Sequence, residues 1–195
     1  MLGILSKGKA IDASQRRTLF ESLMEQTQRQ AYSLAYRLTG NPSEAEDLCQ
    51  ETYIRAYRFF HRYDESLPFA NWLYRIMSNA HIDLMRRKGR LKTTSLEQNT
   101  PSGVTTIEVP DYDSSPDKAF LEEAMGEHLQ NALQTMTPEF RTAVLLADVE
   151  GMAYEEIADA MKTSVGTVRS RIHRGRKQLR RYLLRHAPKT YGGLE

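Results

Sequence analysis

The chain has 195 residues, 27 Lys and Arg against 25 Asp and Glu, a net charge of +2, 40% hydrophobic residues and one cysteine. That length supports one medium domain or two small ones with modest cores. Lone Cys49 excludes an intramolecular disulfide and a cysteine-rich zinc site, and no run approaches the ~20 apolar residues that cross a bilayer. Met1 to Ala10 has no sustained apolar segment and no small-residue cleavage site, so a cytoplasmic protein is expected.

Nearly all of the chain reads as helix. Ser14 to Leu38 is periodic and stops at Gly40. Asn41-Pro42 restarts a helix: Asn41 can cap, Pro42 suits the first turn and Glu44 holds the capping-box position. This helix is expected to run to about Phe60. A loop from His61 to Pro68 precedes a helix over Phe69–Lys88. Thr, Ser, Pro, Gly and Asp dominate Lys92–Pro116, which reads as a linker whose strand-like alternation is confined to Val104–Val109. Further helices are expected near Asp117–Thr135, Pro138–Glu150, Tyr154–Met161 and Val165–Leu184, and a disordered tail from Ala187.

Charge is unevenly placed. Arg169, Arg171, Arg174, Arg176, Lys177, Arg180, Arg181 and Arg185 follow one another with no acid between them. Arg86, Arg87, Lys88, Arg90 and Lys92 form a second cluster, and Glu97, Glu108, Asp111, Asp113, Asp117, Glu122, Glu123 and Glu127 lie between the two. Two separated basic ends suggest two contacts with a polyanion; solvated helix faces are the plainer reading of either alone.

The strongest local pattern is GMAYEEIADAMKTSVGTVRSRIHRGRKQL. Tyr154, Ile157, Ala158 and Met161 make one apolar face. Lys162 to Ser164 make a tight turn, and Ser164 can cap a second helix. On that second helix Val165, Val168, Ile172, Leu179 and Leu183 share a buried stripe at 100° per residue, with Thr167, Ser170, Arg174, Gln178, Arg181 and Arg185 opposite. This is a helix-turn-helix: Arg and Ser/Thr can read base edges in a major groove while neighbouring cations hold phosphates. Arg169 and Arg176 fall near the stripe, their stems packing and their heads reaching outward. His173 lies on the flank and suits a phosphate contact or plain surface.

In the first half, Ala45, Leu48, Cys49, Thr52, Ala56, Phe59 and Phe60 share an inner face, which makes Cys49 a small core residue. Asp47, Gln50, Glu51, Ile54 and Arg58 lie outside; an aliphatic side chain ringed by polar ones is what a protein-docking patch looks like. On the next helix Leu73, Ile76, Met77, Ala80 and Leu84 face inward, Arg75, Asn79 and Arg86 outward, and Asp83 lies one turn from Asn79. Trp72 reads as core packing. Tyr63 in the loop suits either a core contact or an unstacked base.

EAEDLCQETYIRAY at Glu44–Tyr57, FANWLYRIMSNAHIDLMRRKGR at Phe69–Arg90 and the helix-turn-helix block at Glu150–Leu179 together resemble the extracytoplasmic-function (ECF, group four) sigma factors of bacterial RNA polymerase. The resemblance implies an all-α chain of two small helical domains on a flexible linker: a sigma region 2 at 14–92, a linker at 93–116, a sigma region 4 at 117–186 and a tail at 187–195. Asp47, Leu48, Gln50, Glu51, Ile54, Arg55 and Arg58 would dock on the polymerase core, at the clamp helices of the largest subunit. Tyr63, Asn79, Asp83, Arg86, Arg87 and Lys88 would recognise and melt the minus-ten element. Thr167, Arg169, Ser170, Arg171, His173, Arg174, Arg176 and Lys177 would read the minus-thirty-five element, with the second half also meeting the flap of the second-largest subunit. The chain has no room for the further domains of primary sigma factors. Control by an anti-sigma factor that could hold the chain at a membrane, and a role in stress response, are also implied.

About 25 linker residues reach roughly 80 Å extended, at ~3.3 Å each, but average nearer ~25–30 Å as a coil. Two DNA elements two turns apart lie roughly 70 Å from each other. The linker can span that distance without holding it, so a scaffold must. An enzyme is not expected: there is no Gly-Lys-Ser/Thr phosphate loop and no HExxH, the five histidines are scattered, and Asp111, Asp113 and Asp117 lack a calcium-loop glycine. No cofactor, metal, small-molecule substrate or membrane insertion is expected. The alternative is a stand-alone helix-turn-helix regulator with an N-terminal helical interaction domain.

Overall fold

The computed structural model describes residues 13–93 and 126–192, and among these the only regular structure is helical. α1 spans Ala13–Thr39, α2 Pro42–Phe59, α3 Phe69–Thr93, α4 Glu127–Gln134, α5 Pro138–Asp148, α6 Tyr154–Ala160, α7 Val165–His186 and α8 Pro188–Tyr191, with a 3-10 turn at Phe60–Arg62. The expected Lys92–Pro116 linker beyond residue 93, the alternation at Val104–Val109 and the first residues of the helix expected from Asp117 lie outside the described residues.

The helix starts agree with the sequence cues. Asn41 Oδ1 accepts the Glu44 N–H at 3.1 Å and Pro42 occupies the first turn. Glu44 does not complete a capping box; its carboxylate pairs with Lys88 Nζ at 2.7 Å and ties the start of α2 to the end of α3. Pro138 opens α5, but Thr137 makes no side-chain cap bond. The tail departs from expectation: Pro188 starts one turn of helix, α8, and Ala187 is buried.

α1, α2 and α3 pack into a three-helix body, and α4 to α7 into a second. The first is centred on Phe20, Leu34, Leu38, Tyr53, Leu73 and Met77, the second on Leu145, Leu146, Ile157, Val168 and Ile172. Phe59, expected inside, is 39% exposed and lies under the Arg62 guanidinium, 5.3 Å from its ring centroid.

The two bodies also pack on each other, so their buried side chains form one continuous cluster. The polar contacts of this seam are long-range. Gln130 Nε2 donates to Tyr36 O at 3.1 Å and Gln134 Nε2 to Arg37 O at 3.2 Å. Arg141 Nη1 donates to Leu38 O. Asn71 Nδ2 donates to Glu156 Oε1 at 3.0 Å. Glu150 accepts a hydrogen bond from the buried Tyr74 hydroxyl and lies 3.9 Å from Arg37 Nη1. Burial raises the Glu150 carboxyl above its usual range, against the pull of Tyr74 and Arg37. His81 is fully buried in α3, and burial, then the charges of Arg141 and Lys88, push its imidazole down to about 4.

Candidate docking face and nucleic-acid interface

α2 turns two faces in opposite directions. Ala45, Leu48, Cys49, Thr52, Tyr53 and Ala56 are buried, and the Thr52 hydroxyl is satisfied by Leu48 O at 2.6 Å. Burial, then Glu46, raises the Cys49 thiol far above its ordinary range, so it stays protonated. Asp47, Gln50, Glu51 and Arg58 are exposed on the other side, with Ile54 and Arg55 half-buried among them. Six of the seven expected docking residues thus share one strip. Leu48 does not: at 3% exposure it faces the core and supports the strip from beneath. Arg55 Nε donates to Glu51 Oε1 at 2.5 Å, so the charges largely cancel within the helix.

The loop after α2 is held by aromatic packing. Tyr63 stacks on Phe60 at 5.6 Å and 15°, meets Phe69 edge-on at 5.3 Å and leans on Trp72 at 5.3 Å. Its hydroxyl donates to Leu67 O at 2.7 Å. Tyr63 is therefore a half-buried member of a cluster, and Trp72 packs against the core as expected. Asp64 Oδ1 accepts the Ser66 N–H at 3.0 Å, which holds the Asp64 carboxyl below its usual range. Leu67, at 56% exposure, is the loop's outermost apolar group among the described residues.

On α3, Arg75, Arg86 and Arg87 are exposed and Asn79 and Asp83 half-exposed, on the same helix as the seam residues Asn71, Tyr74 and His81. Asn79 Nδ2 is tied back to Arg75 O at 2.8 Å. Lys88 is committed to Glu44, so its expected role with nucleic acid competes with an existing ion pair.

The helix-turn-helix is built by backbone bonds. Thr163 N–H donates to Ala158 O at 2.9 Å and Lys162 N–H to Asp159 O at 3.3 Å, with Lys162 at φ +50°; this is a Schellman ending with lysine where glycine is usual. Glu156 Oε2 accepts the Ala153 N–H at 2.9 Å at the start of α6. Ser164 Oγ accepts the Thr167 N–H at 3.1 Å and starts α7, and it also lies 2.9 Å from the Thr167 hydroxyl. α7 seats on α5 at Gly175, where a Cβ would come within 2.6 Å of Val144 Cγ2 and 2.9 Å of Met136 Cε. No larger residue allows so close a crossing.

Around α7, Val168, Ile172, Gly175 and Leu183 are buried. Two cationic flanks remain: Thr167, Ser170, Arg171, Arg174 and Lys177 on one, Arg169, His173 and Arg176 on the other. Two expected readers are already engaged. Thr167 belongs to the cap. Arg176 makes a two-pronged pair with Asp148, Nε to Oδ2 at 2.9 Å and Nη2 to Oδ1 at 2.5 Å, which also raises its guanidinium further. The Arg176 pair fixes α7 to the end of α5. Sequence reasoning missed Asp148; its signal was one acid closing an apolar helix that packs on a basic one.

Two family descriptions match. Sigma-70 region 2 covers residues 23–91, and Sigma-70, region 4 covers 127–179. The ECF RNA polymerase sigma factor SigE of Mycolicibacterium smegmatis is 43% identical over 88% of this chain; the chain spans 64% of that protein's length. The ECF RNA polymerase sigma factor SigW of Bacillus subtilis is 33% identical over 84% of this chain and 88% of its own. The fold is similar to that of the sigma factor RpoE from Bartonella quintana, solved with the anti-sigma factor NepR, at TM-score 0.63 and 22% identity over 85% of this chain and 97% of that one. It is also similar to CnrH, solved with the cytosolic domain of CnrY, at TM-score 0.58 and 23% identity over 90% and 94%.

Proposed function

The chain belongs to the ECF sigma factors of bacterial RNA polymerase, and from that premise we propose that it docks on the core enzyme through the α2 strip and directs it to promoters through α3 and α7. It is a transcription initiation factor and not an enzyme. Residues 14–92 would bind the core and handle the minus-ten element, residues 117–186 the minus-thirty-five element, and 93–116 would tether them.

One observation carries this reading: the same chain presents a charge-balanced strip centred on Ile54 and, on a different body, a helix with eight Arg and Lys from Arg169 to Arg185 and no acid. The first suits a protein surface. The second suits a phosphate backbone and base edges. Asn79, Asp83, Arg86 and Arg87 lie further along α3, whose first turn packs against Tyr63, and supply amide, carboxylate and guanidinium groups for unpaired bases. The stand-alone regulator is not favoured, because the likeness extends over both halves.

Both structural neighbours were solved with a partner, in one case a named anti-sigma factor, which supports the same control here. Among the described residues no helix is long and apolar enough to cross a membrane, which agrees with a cytoplasmic chain that a membrane-held partner could retain. The test is run-off transcription with purified core polymerase on a genomic promoter library. Discrete start sites that need this chain, preceded by two shared elements, are expected. Absence of any measurable affinity for the core overturns the proposal.

A further inference from the structure

We propose that Asp148 determines the DNA specificity of α7 from outside the DNA-reading flank: through Arg176 it fixes the rotation of α7 about its own axis. Arg176 is then a positioning residue and not a reader. The inference rests on the reading of the minus-thirty-five element by α7 proposed above.

Placement on the helix separates Arg176 from the readers. At about 100° per residue, Arg176 stands roughly 120–180° round α7 from Thr167, Ser170 and Arg174. A helix lying in a major groove offers one side to the base edges, so Arg174 and Arg176 cannot both enter. Arg176 turns instead to α5, where its Nε and Nη2 meet the two Asp148 carboxylate oxygens at 2.9 and 2.5 Å. The hydroxyl of half-buried Tyr154, the first residue of α6, also hydrogen-bonds Arg176. One guanidinium thus ties together the end of α5, the start of α6 and the middle of α7.

Asp148 is not placed for the sake of its own helix. It is the last residue of α5, the end at which the helix dipole disfavours a carboxylate. Nor does the pair add much stability: the Arg176 and Asp148 side chains are 54% and 33% exposed, and exposed pairs contribute little.

What the pair supplies is direction. α7 crosses α5 at Gly175, which has no side chain to key a rotation. The buried contacts of Val168 and Ile172 are apolar and non-directional. A planar fork on a carboxylate, by contrast, has one preferred geometry. The tolerance is narrow. A roll of about 10° moves a group ~6 Å from the helix axis by ~1 Å, more than the ~0.5 Å spread of normal hydrogen-bond lengths.

The test is enrichment of promoters from the genomic library by the full-length chain assembled with core polymerase. It is read as base preference at each position of both elements and as the salt dependence of binding. Arg176→Lys keeps the charge but loses the fork, and Asp148→Asn keeps the size but loses the charge. Each is expected to lower discrimination at one or more minus-thirty-five positions at least tenfold, the scale of one lost base contact. Minus-ten preference and salt slope should stay as in wild type. The double variant should be no worse than either single one, since both remove the same contact. Melting temperatures should fall by less than about 8 °C, as for one exposed pair. Should Asp148→Asn melt lower than that, Tyr154→Phe, which removes only a hydroxyl, is read the same way and decides. Arg176→Lys with wild-type preference overturns the inference, as do additive losses or folded variants with unaltered preference. So does tighter binding by Asp148→Asn, which makes Arg176 a phosphate contact that Asp148 restrains. A wild-type chain that enriches nothing on the core fails at an earlier arm, and removes the proposed function together with this inference.

Discussion

The outward strip of α2 and the outward flanks of α7 are both ridges of long polar side chains, yet they obey opposite electrostatic plans. On α2, Glu51 and Arg55 neutralise each other at 2.5 Å and an aliphatic residue, Ile54, sits in the middle. Such a surface has little long-range pull and depends on fit. On α7, a carboxylate from another helix, Asp148, holds one arginine, and the rest of the positive charge faces outward. That surface attracts any polyanion from a distance and weakens as salt rises. Polarity alone does not distinguish the two surfaces; internal cancellation of charge does, and it is what the proposed docking and DNA-reading roles call for.

The contrast can be broken at its strongest point first. Ile54→Glu places an unpaired carboxylate at the centre of the strip and should reduce core-dependent transcription to background, with melting unchanged within about 0.5 kcal/mol. A variant that still initiates would remove the distinction. The seam comes next. His81 titrates near 4 in the folded chain against an ordinary 6.5. Its neutral form therefore stabilises the fold fully above pH 6.5, and that contribution is lost as pH falls toward 4. At about 1.4 kcal/mol per unit the loss approaches about 3 kcal/mol. Thermal melts at pH 7 and pH 4.5 should show it, and His81→Leu should flatten the difference.

Smaller effects sharpen the picture of α7. Gly175→Ala forces a methyl against Val144 and Met136 and should cost about 2 kcal/mol in denaturant unfolding. It should also weaken binding to a minus-thirty-five duplex while altering no outward side chain of α7. Arg174→Ala should leave stability alone, lower duplex affinity about tenfold and flatten the salt dependence by about one charge. Ile54→Glu should leave that slope untouched. Lys162→Gly is expected to stabilise by about 1 kcal/mol, measured as a raised melting temperature, because glycine occupies φ +50° without Cβ strain.

How far the sequence alone reaches is clear from these same residues. The helices are legible because their apolar spacing repeats: Val168, Ile172 and Leu183 are buried as the wheel requires. Asn41 and Ser164 are legible because a cap is a local bond. Phe59 escapes the pattern because periodicity fades at a helix end, where the 3-10 turn changes the phase. Arg176 looks like an outward-reaching reader because nothing near it in sequence announces Asp148. The seam is invisible for the same reason. Asn71, Gln130, Gln134 and Arg141 have the composition of surface, and their partners lie 85 to 103 residues away. A guanidinium at the head of the apolar run Thr142–Leu146 is the available clue.

Cys49 has a practical consequence. The chain's sole thiol is sealed inside the first body and held protonated, so an alkylating reagent can reach it only when the α1–α3 bundle breathes. Its modification rate is thus a clock for local opening of that bundle. A sigma factor whose halves part as rigid bodies would keep the clock slow, whereas one that loosens as it parts would make it run.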